Sequence, residues 1–182
     1  MKPIKPMLLT EYFVKKDLIN SQKFVYIQPK LDGWRSIANT STGEIFSRTG
    51  KLLNLPHISK DLLELNNKNI PEWIDGELYK HGETLGKIQS MIRKSDSKIK
   101  FNLFDYVDKK SFSSRFFYNY KIETENIKPV KTEKIRPHKI MRAYRDLLNN
   151  GYEGAVIRID GKNYDHYRSD QVIKLKPETE FA

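Results

Sequence analysis

Cysteine is absent from the 182 residues, which removes disulfides, thiolate catalysis, cysteine zinc sites and iron–sulfur ligation together. That usage suits a reducing compartment. No stretch approaches the ~18 consecutive apolar residues of a membrane span. The opening Met1-Lys2-Pro3-Ile4-Lys5-Pro6-Met7-Leu8-Leu9 holds too short an apolar run for a secretory signal. A soluble intracellular protein is expected, in the cytoplasm or nucleoid (or in a host cell if the chain is viral), with no membrane partner. Histidine is scarce: His57, His81, His138 and His166 are scattered, with no His-Glu-x-x-His spacing. Neither a Gly-x-x-x-x-Gly-Lys-[Ser/Thr] loop nor a Gly-x-Gly-x-x-Gly turn occurs, which excludes P-loop and Rossmann sites. A Gly-x-Ser-x-Gly elbow is missing as well. Without an internal repeat or a low-complexity tract, a solenoid is excluded too.

What is there is a single domain's worth of chain, spanning 1–182, with 38% hydrophobic residues to fill a core. The 33 Lys and Arg against 23 Asp and Glu leave a net charge of +10. Such a surplus favours polyanion partners through counterion release, although a Lys-rich solubilising surface gives the same number. Basic residues are densest from Lys128 to Arg145, and a second cluster runs through Lys87, Arg93, Lys94, Lys98 and Lys100.

Patterning predicts an α+β protein. Phe24 to Gln28 is β-rich and leads into a turn-like Pro-Lys-Leu-Asp-Gly. Trp34–Asn39 and Glu44–Arg48 read as a hairpin around Ser41-Thr42-Gly43. Pro56 opens a helix with Ile58, Leu62 and Leu65 on one side. Trp73–Tyr79 reads as a strand, Thr84–Lys94 as a helix and Ile99–Val107 as a strand, with a weakly helical aromatic segment following to Thr124. Pro137 starts a helix with Ile140, Tyr144, Leu147 and Leu148 together and Gly151 as its stop. Glu153–Ile159 and Gln171–Lys176 are the last predicted strands. Hairpin order mixed with helices argues for largely antiparallel sheets flanked by helices.

Lys30-Leu31-Asp32-Gly33-Trp34-Arg35 puts three charges around one bend. Alone, Lys-x-Asp-Gly is an ordinary hairpin turn. Its functional reading is a nucleophilic lysine at a loop tip, with Gly33 allowing a ligand to approach closely. Three further segments weigh toward that reading. Asp75 and Glu77 share a strand face by the two-residue period, Glu153 heads another strand, and Lys174 and Lys176 share the face opposite Ile173 and Leu175. In this order they are a nucleophile, carboxylates for a divalent metal, and cations for phosphates.

That order resembles the nucleotidyltransferase domain of ATP-dependent DNA ligases, within the wider group of RNA ligases and mRNA-capping guanylyltransferases. Lys30 to Arg35 is similar to the motif whose lysine becomes attached to AMP. Asp75-Gly76-Glu77 resembles the third motif, Phe101 to Tyr106 the aromatic one, Glu153-Gly154 the fourth, and Val172 to Pro177 the fifth. Arg168-Ser169 ahead of Lys174-Leu175-Lys176, Glu153 where capping enzymes carry Asp, and Lys5-Pro6-Met7-Leu8-Leu9 resemble the DNA-ligase form. No extension suited to nicotinamide mononucleotide precedes Lys30, which points away from the NAD-dependent class.

The resemblance implies an ATP-grasp-like ligase fold, ATP as cosubstrate, Mg²⁺, nicked double-stranded DNA as partner, and a monomer. Lys30 would attack the α-phosphate, with Lys174 and Lys176 neutralising it. Glu77 and Glu153 would hold the metal. Phe104 would stack on adenine, Gln28 would contact the adenine amino group, and Arg35 and Arg48 would bind phosphate or ribose. A lysine amine has an ordinary pKa of ~10.4, so a nucleophilic one needs neighbouring positive charge. One departure stands out: the family carries a C-terminal OB-fold with a sixth, basic motif, and this chain ends at Ala182, so the OB-fold is expected to be absent. Self-adenylylation is then expected to be slow and nick sealing poor. An RNA ligase, a capping-type enzyme, or an idle nucleic-acid-binding module remain the alternatives.

Overall fold

Val25 and Ile27, Ala155 and Ile157, and Ile173 and Leu175 fall on alternate residues of three strands, so one face of each strand is buried. In a computed structural model, which describes residues 2–161 and 163–177, those faces join into one sheet. The first half of the chain forms β1 (Leu8–Glu11), α1 (Lys16–Asn20), β2 (Val25–Lys30), β3 (Trp34–Asn39), β4 (Ile45–Ser47), β5 (Leu52–Leu53) and α2 (Pro56–Leu65). There follow β6 (Trp73–Tyr79), α3 (Leu85–Arg93), β7 (Lys100–Tyr106), α4 (Phe112–Phe116) and β8 (Ile127–Pro129). The chain then runs through β9 (Glu133–Ile135), α5 (Ile140–Asn149), β10 (Gly154–Arg158) and β11 (Arg168–Leu175).

Two sheets result. The first has the order β1-β11-β10-β2-β9 and the second β5-β4-β3-β6-β7-β8. Pairing is antiparallel except for β1 with β11 and β7 with β8. The fold is therefore α+β with mostly antiparallel sheets. Tyr144 and Ile140 of α5 and Ile19 of α1 cover the outer face of the first sheet. Ile58, Leu62 and Leu65 of α2 and Ile88 and Met91 of α3 cover the second. Each sheet thus has its own apolar core. The remaining faces, carrying Gln28, Lys30, Val156, Arg158 and Lys174 on one side and Arg35, Asp75 and Glu77 on the other, supply the polar side chains of the site.

The hairpin β3–β4, the strands β6 and β7, and the helices α2, α3 and α5 lie where spacing predicts them. Pro56 sits in the first turn of α2, Thr84 caps α3 by accepting from the Lys87 N–H, and Gly151 ends α5 at φ +84°. Predicted and observed structure differ at β2, which runs on through Pro29 to Lys30. There β9 has already ended, leaving β10 as the one neighbour, the position at which a strand tolerates proline. Lys30 is therefore the last residue of a strand and not a loop tip. β1, β5, β8 and β9 are unpredicted, and β11 starts three residues before Gln171. β1, β8 and β9 are short segments paired at long range, β5 is only two residues long beside β4, and β9 is a charged edge strand with no alternation to read. The aromatic segment after β7 forms α4 and then a 3-10 turn, Phe117–Lys121, with Ser111 as the helix cap.

Candidate active site

Lys30 and Glu153 are held together twice. The Lys30 Nζ donates to Glu153 Oε2 at 2.9 Å, and the Glu153 backbone N–H donates to the Lys30 carbonyl at 3.2 Å. Register explains the pair: Gly154 lies opposite Lys30 across β2 and β10. A Cβ on Gly154 would stand 2.1 Å from the Leu175 carbonyl oxygen, so only glycine lets β11 close on this point. Lys176, just past β11, reaches within 3.9 Å of Glu153 Oε1. Lys174 lies on the cavity face of β11 and pairs with Glu11 at 3.0 Å. Strand alternation therefore covers Lys174, whereas Lys176 lies beyond the strand end.

The turn Leu31–Gly33 carries the chain to the second sheet. A Cβ on Gly33 would sit 2.5 Å from the Leu78 carbonyl oxygen and 2.8 Å from Glu77 Cγ. Close approach at Gly33 is thus between this turn and β6, where the sequence suggested approach of a ligand. Arg35 follows on β3, opposite Glu77 in register. Its guanidinium grips Asp75 with both arms, Nε to Oδ1 at 2.7 Å and Nη2 to Oδ2 at 2.6 Å, and also donates to the Met7 carbonyl at 3.0 Å. Tyr164 donates to Asp75 Oδ2 at 2.7 Å and accepts from the Met7 N–H at 2.9 Å. Burial opposes charge on Arg35, but Asp75 outweighs it and raises the guanidinium pKa further. Asp75 is a support for Arg35, with both carboxylate oxygens already taken.

Glu77 is different. Its carboxylate is buried and accepts no hydrogen bond among the described residues. Burial pushes its pKa up to about 7, against the pull of Arg35 and Lys30 and with help from Asp75 and Glu153. Glu77, only partly compensated by Arg35 and Lys30, makes with Glu153 a pair of hard oxygen donors, which suits a divalent cation that keeps most of its waters. Among the described residues no group of three or more His, Cys, Asp or Glu could hold a metal. Two carboxylates fit Mg²⁺, whose other ligands are ordinarily water and phosphate.

Both sheets wall a cavity of about 740 Å³, within the size range of small-molecule sites. Of the expected residues it brings together Lys30, Arg35, Arg48, Glu77, Phe104, Glu153 and Lys174. Arg48 reaches the rim from the turn after β4 and is exposed. Phe104 on β7 is half-buried, with the Arg35 guanidinium carbon 5.7 Å from its ring centre.

Gln28 does not line this cavity. Its Nε2 donates to the Phe104 carbonyl at 3.1 Å and to Thr132 Oγ1 at 3.0 Å, and its Oε1 accepts from Arg158 Nε at 2.8 Å. Both ends of the amide are used within the protein, so a direct contact with adenine is not prepared here. Sequence reasoning missed Arg158 and Arg168, which both line the cavity. The parity of β10 puts Arg158 on the same face as Val156, and that signal could have found it. Arg158 Nη1 donates to Asp105 Oδ2 at 2.6 Å, while Arg115 Nε holds Asp105 Oδ1 at 2.7 Å. Two buried guanidiniums thus share one carboxylate, and the excess positive charge lies beside the cavity.

A strand-end lysine paired to a glutamate thus stands among several cations and an aromatic ring, groups whose chemistry suits phosphates and a flat base. The comparisons agree on the fold. No protein-family model and no curated protein matches the sequence, but solved structures do. The chain is similar to the Chlorella virus DNA ligase-adenylate, at 26% identity and a TM-score of 0.75, covering 95% of this chain and 67% of that one. A Lig E DNA ligase matches at 22% identity and a TM-score of 0.73, over 96% and 69% of the two chains. The bacteriophage T7 ATP-dependent DNA ligase in complex with ATP matches at 15% and 0.66, over 97% and 69%. The resemblance to the nucleotidyltransferase domain of ATP-dependent DNA ligases therefore extends from motif order to the three-dimensional fold. No helix among the described residues is long and apolar enough to cross a membrane.

Proposed function

We propose that residues 1–182 are the adenylation domain of an ATP-dependent DNA ligase, which attaches AMP to Lys30 and passes it to the 5′-phosphate of nicked duplex DNA. The observation that carries this reading is the doubly held Lys30–Glu153 pair, at 2.9 Å, inside a cavity that also presents Arg35, Arg48, Arg158 and Lys174. The Lys30 nitrogen forms a bond to the α-phosphorus while the bond to the pyrophosphate oxygen breaks, and pyrophosphate leaves. The nearest acceptor for the departing lysine proton is Glu153 Oε2. Lys174, Lys176 and the arginines offset charge on the phosphates as it redistributes, which is where phosphoryl transfer gains most of its rate. Phe104 supplies a flat face for adenine, and Gln28 acts through it, by fixing the Phe104 carbonyl. Mg²⁺, held by Glu77 and Glu153, would add positive charge beside the phosphate oxygens. A net charge of +10 supports contact with a DNA backbone.

Intact mass after incubation with ATP and Mg²⁺ tests the first step. One added adenylyl group is expected, with none in Lys30→Ala and none from GTP. Nicked DNA offered to the adduct should then take AMP on its 5′-phosphate in preference to nicked RNA. Absence of an adduct, or peptide mapping that finds AMP on another lysine, overturns the reading.

A further inference from the structure

The carboxylates that matter most come from different sheets, Glu77 from β6 and Glu153 from the start of β10. Their separation depends on how the two sheets are tied near that point. The His81 side chain is one such tie next to both carboxylates. His81, two residues past β6, accepts from or donates to the Tyr79 hydroxyl through Nδ1 at 2.6 Å, and its Nε2 lies 2.8 Å from the Asn150 carbonyl oxygen. A carbonyl only accepts, so Nε2 carries a proton. In the neutral ring Nδ1 is then the acceptor and the Tyr79 O–H the donor, a fixed chain of Tyr79 O–H, imidazole and Asn150 C=O. The Tyr152 ring packs on the same imidazole, with centroids 4.3 Å apart at 31°. Gly151 lies against it as well, since a Cβ there would meet His81 Cε1 and Nε2 at 3.5 Å.

Asn150, Gly151 and Tyr152 all meet one imidazole, and Glu153 is the next residue. At the other end, Tyr79 is two residues from Glu77 on the same strand. We infer that His81 is a positioning residue: it sets the distance between Glu77 and Glu153, and hence the placement of Glu153 on Lys30, without touching the nucleotide. This rests on the nucleotidyltransfer reading above. His81 itself is exposed and meets Tyr79 and Tyr152 at the edge of the second core, so exchange along β7 reports whether that core stays folded when the imidazole is removed.

Single-turnover adenylylation of the whole chain, followed by intact mass over a range of ATP concentrations, tests it alongside amide hydrogen exchange. His81→Ala is expected to lower the maximal rate about tenfold while half-saturation by ATP moves less than about threefold, as for a misplaced group that does not bind ATP. His81→Gln, whose side-chain N–H still reaches toward the Asn150 carbonyl, is expected to recover most of that loss. Exchange should quicken at Gly151, Tyr152 and Glu153 in His81→Ala and stay unchanged along β7. If wild-type protein forms the adduct and His81→Ala matches it within about twofold, or if exchange quickens evenly through both sheets, the inference fails alone. If wild-type protein forms no adduct, the nucleotidyltransfer reading fails, and the inference with it.

Discussion

Replacing Glu77 with Gln should make this protein more stable and less active at once. Glu77 is 8% exposed, has no hydrogen-bond partner among the described residues, and sits at a pKa of about 7 against an ordinary 4.5. The direction of linkage follows. Between those two values the native protein holds a proton that the unfolded chain has released, so the native state is favoured below pH 4.5 and loses that advantage as pH rises through about 7. At 1.36 kcal/mol per pH unit, the full difference is about 3 kcal/mol. Gln has the shape of the protonated acid and no charge to lose. Urea unfolding of wild type and Glu77→Gln at a series of pH values, without nucleotide or divalent cation, reads the effect directly. The two should coincide near pH 4.5 and diverge until Glu77→Gln is more stable by about 2–3 kcal/mol at pH 8.

Adenylylation of Lys30 by the same variant should fall about a hundredfold, the cost of losing one of the two carboxylates proposed to hold positive charge beside the reacting phosphate. Opposite changes in stability and rate are what separates a carboxylate kept for function from one kept for structure. Parallel unfolding curves across the pH range would refute the assignment of burial as the dominant cause. An unchanged rate in Mg²⁺ would refute the metal-binding role.

Two further substitutions test the supports of the site. Asp75→Asn leaves Arg35 buried without its charge partner and should cost about 3–5 kcal/mol in denaturant unfolding, with a retained stability showing that Arg35 has another counter-charge. Gly33→Ala places a methyl 2.5 Å from the Leu78 carbonyl oxygen, so it should lower the melting temperature and the adenylylation rate together, and a neutral effect would mean the turn can move away from β6 without loss.

Much of this architecture was legible because alternation and turn chemistry are local. Lys30, Glu77, Glu153 and Lys174 stand at strand ends or on one strand face, and a two-residue period suffices to group them once the strands are recognised. Residue order then supplied the ligase resemblance, which the fold of solved relatives supports. What could not be read of the site depends on partners more than twenty residues away. Gln28 shares a strand face with Lys30, so parity alone sends both toward a nucleotide. The carbonyl of Phe104 and the guanidinium of Arg158 turn its amide inward, and neither partner is visible from the neighbourhood of residue 28. Asp75 and Glu77 are likewise equivalent by parity, yet Arg35 and Tyr164 hydrogen-bond the first, while the second accepts no hydrogen bond among the described residues.

That asymmetry has a physical sense. A buried carboxylate without a partner is costly, and a fold tolerates it where something absent from the free protein supplies the compensation. Asp75 spends its charge on holding Arg35, and through Arg35 and Tyr164 it fixes the backbone at Met7, just before Leu8 and Leu9 enter the cavity wall. Glu77 lies two residues away on the same strand, where burial outweighs the pull of Arg35 and Lys30 and raises its pKa. One strand of seven residues thus carries an acid whose hydrogen bonds are spent on Arg35 and Tyr164 and another that faces the cavity without them. The same logic separates Glu153, shared by Lys30 and Lys176, from Asp105, shared by two buried arginines. Asp105 is fully buried, whereas Glu153 opens onto the cavity, where on the proposed function it would exchange its lysine partners for a phosphate-bound cation.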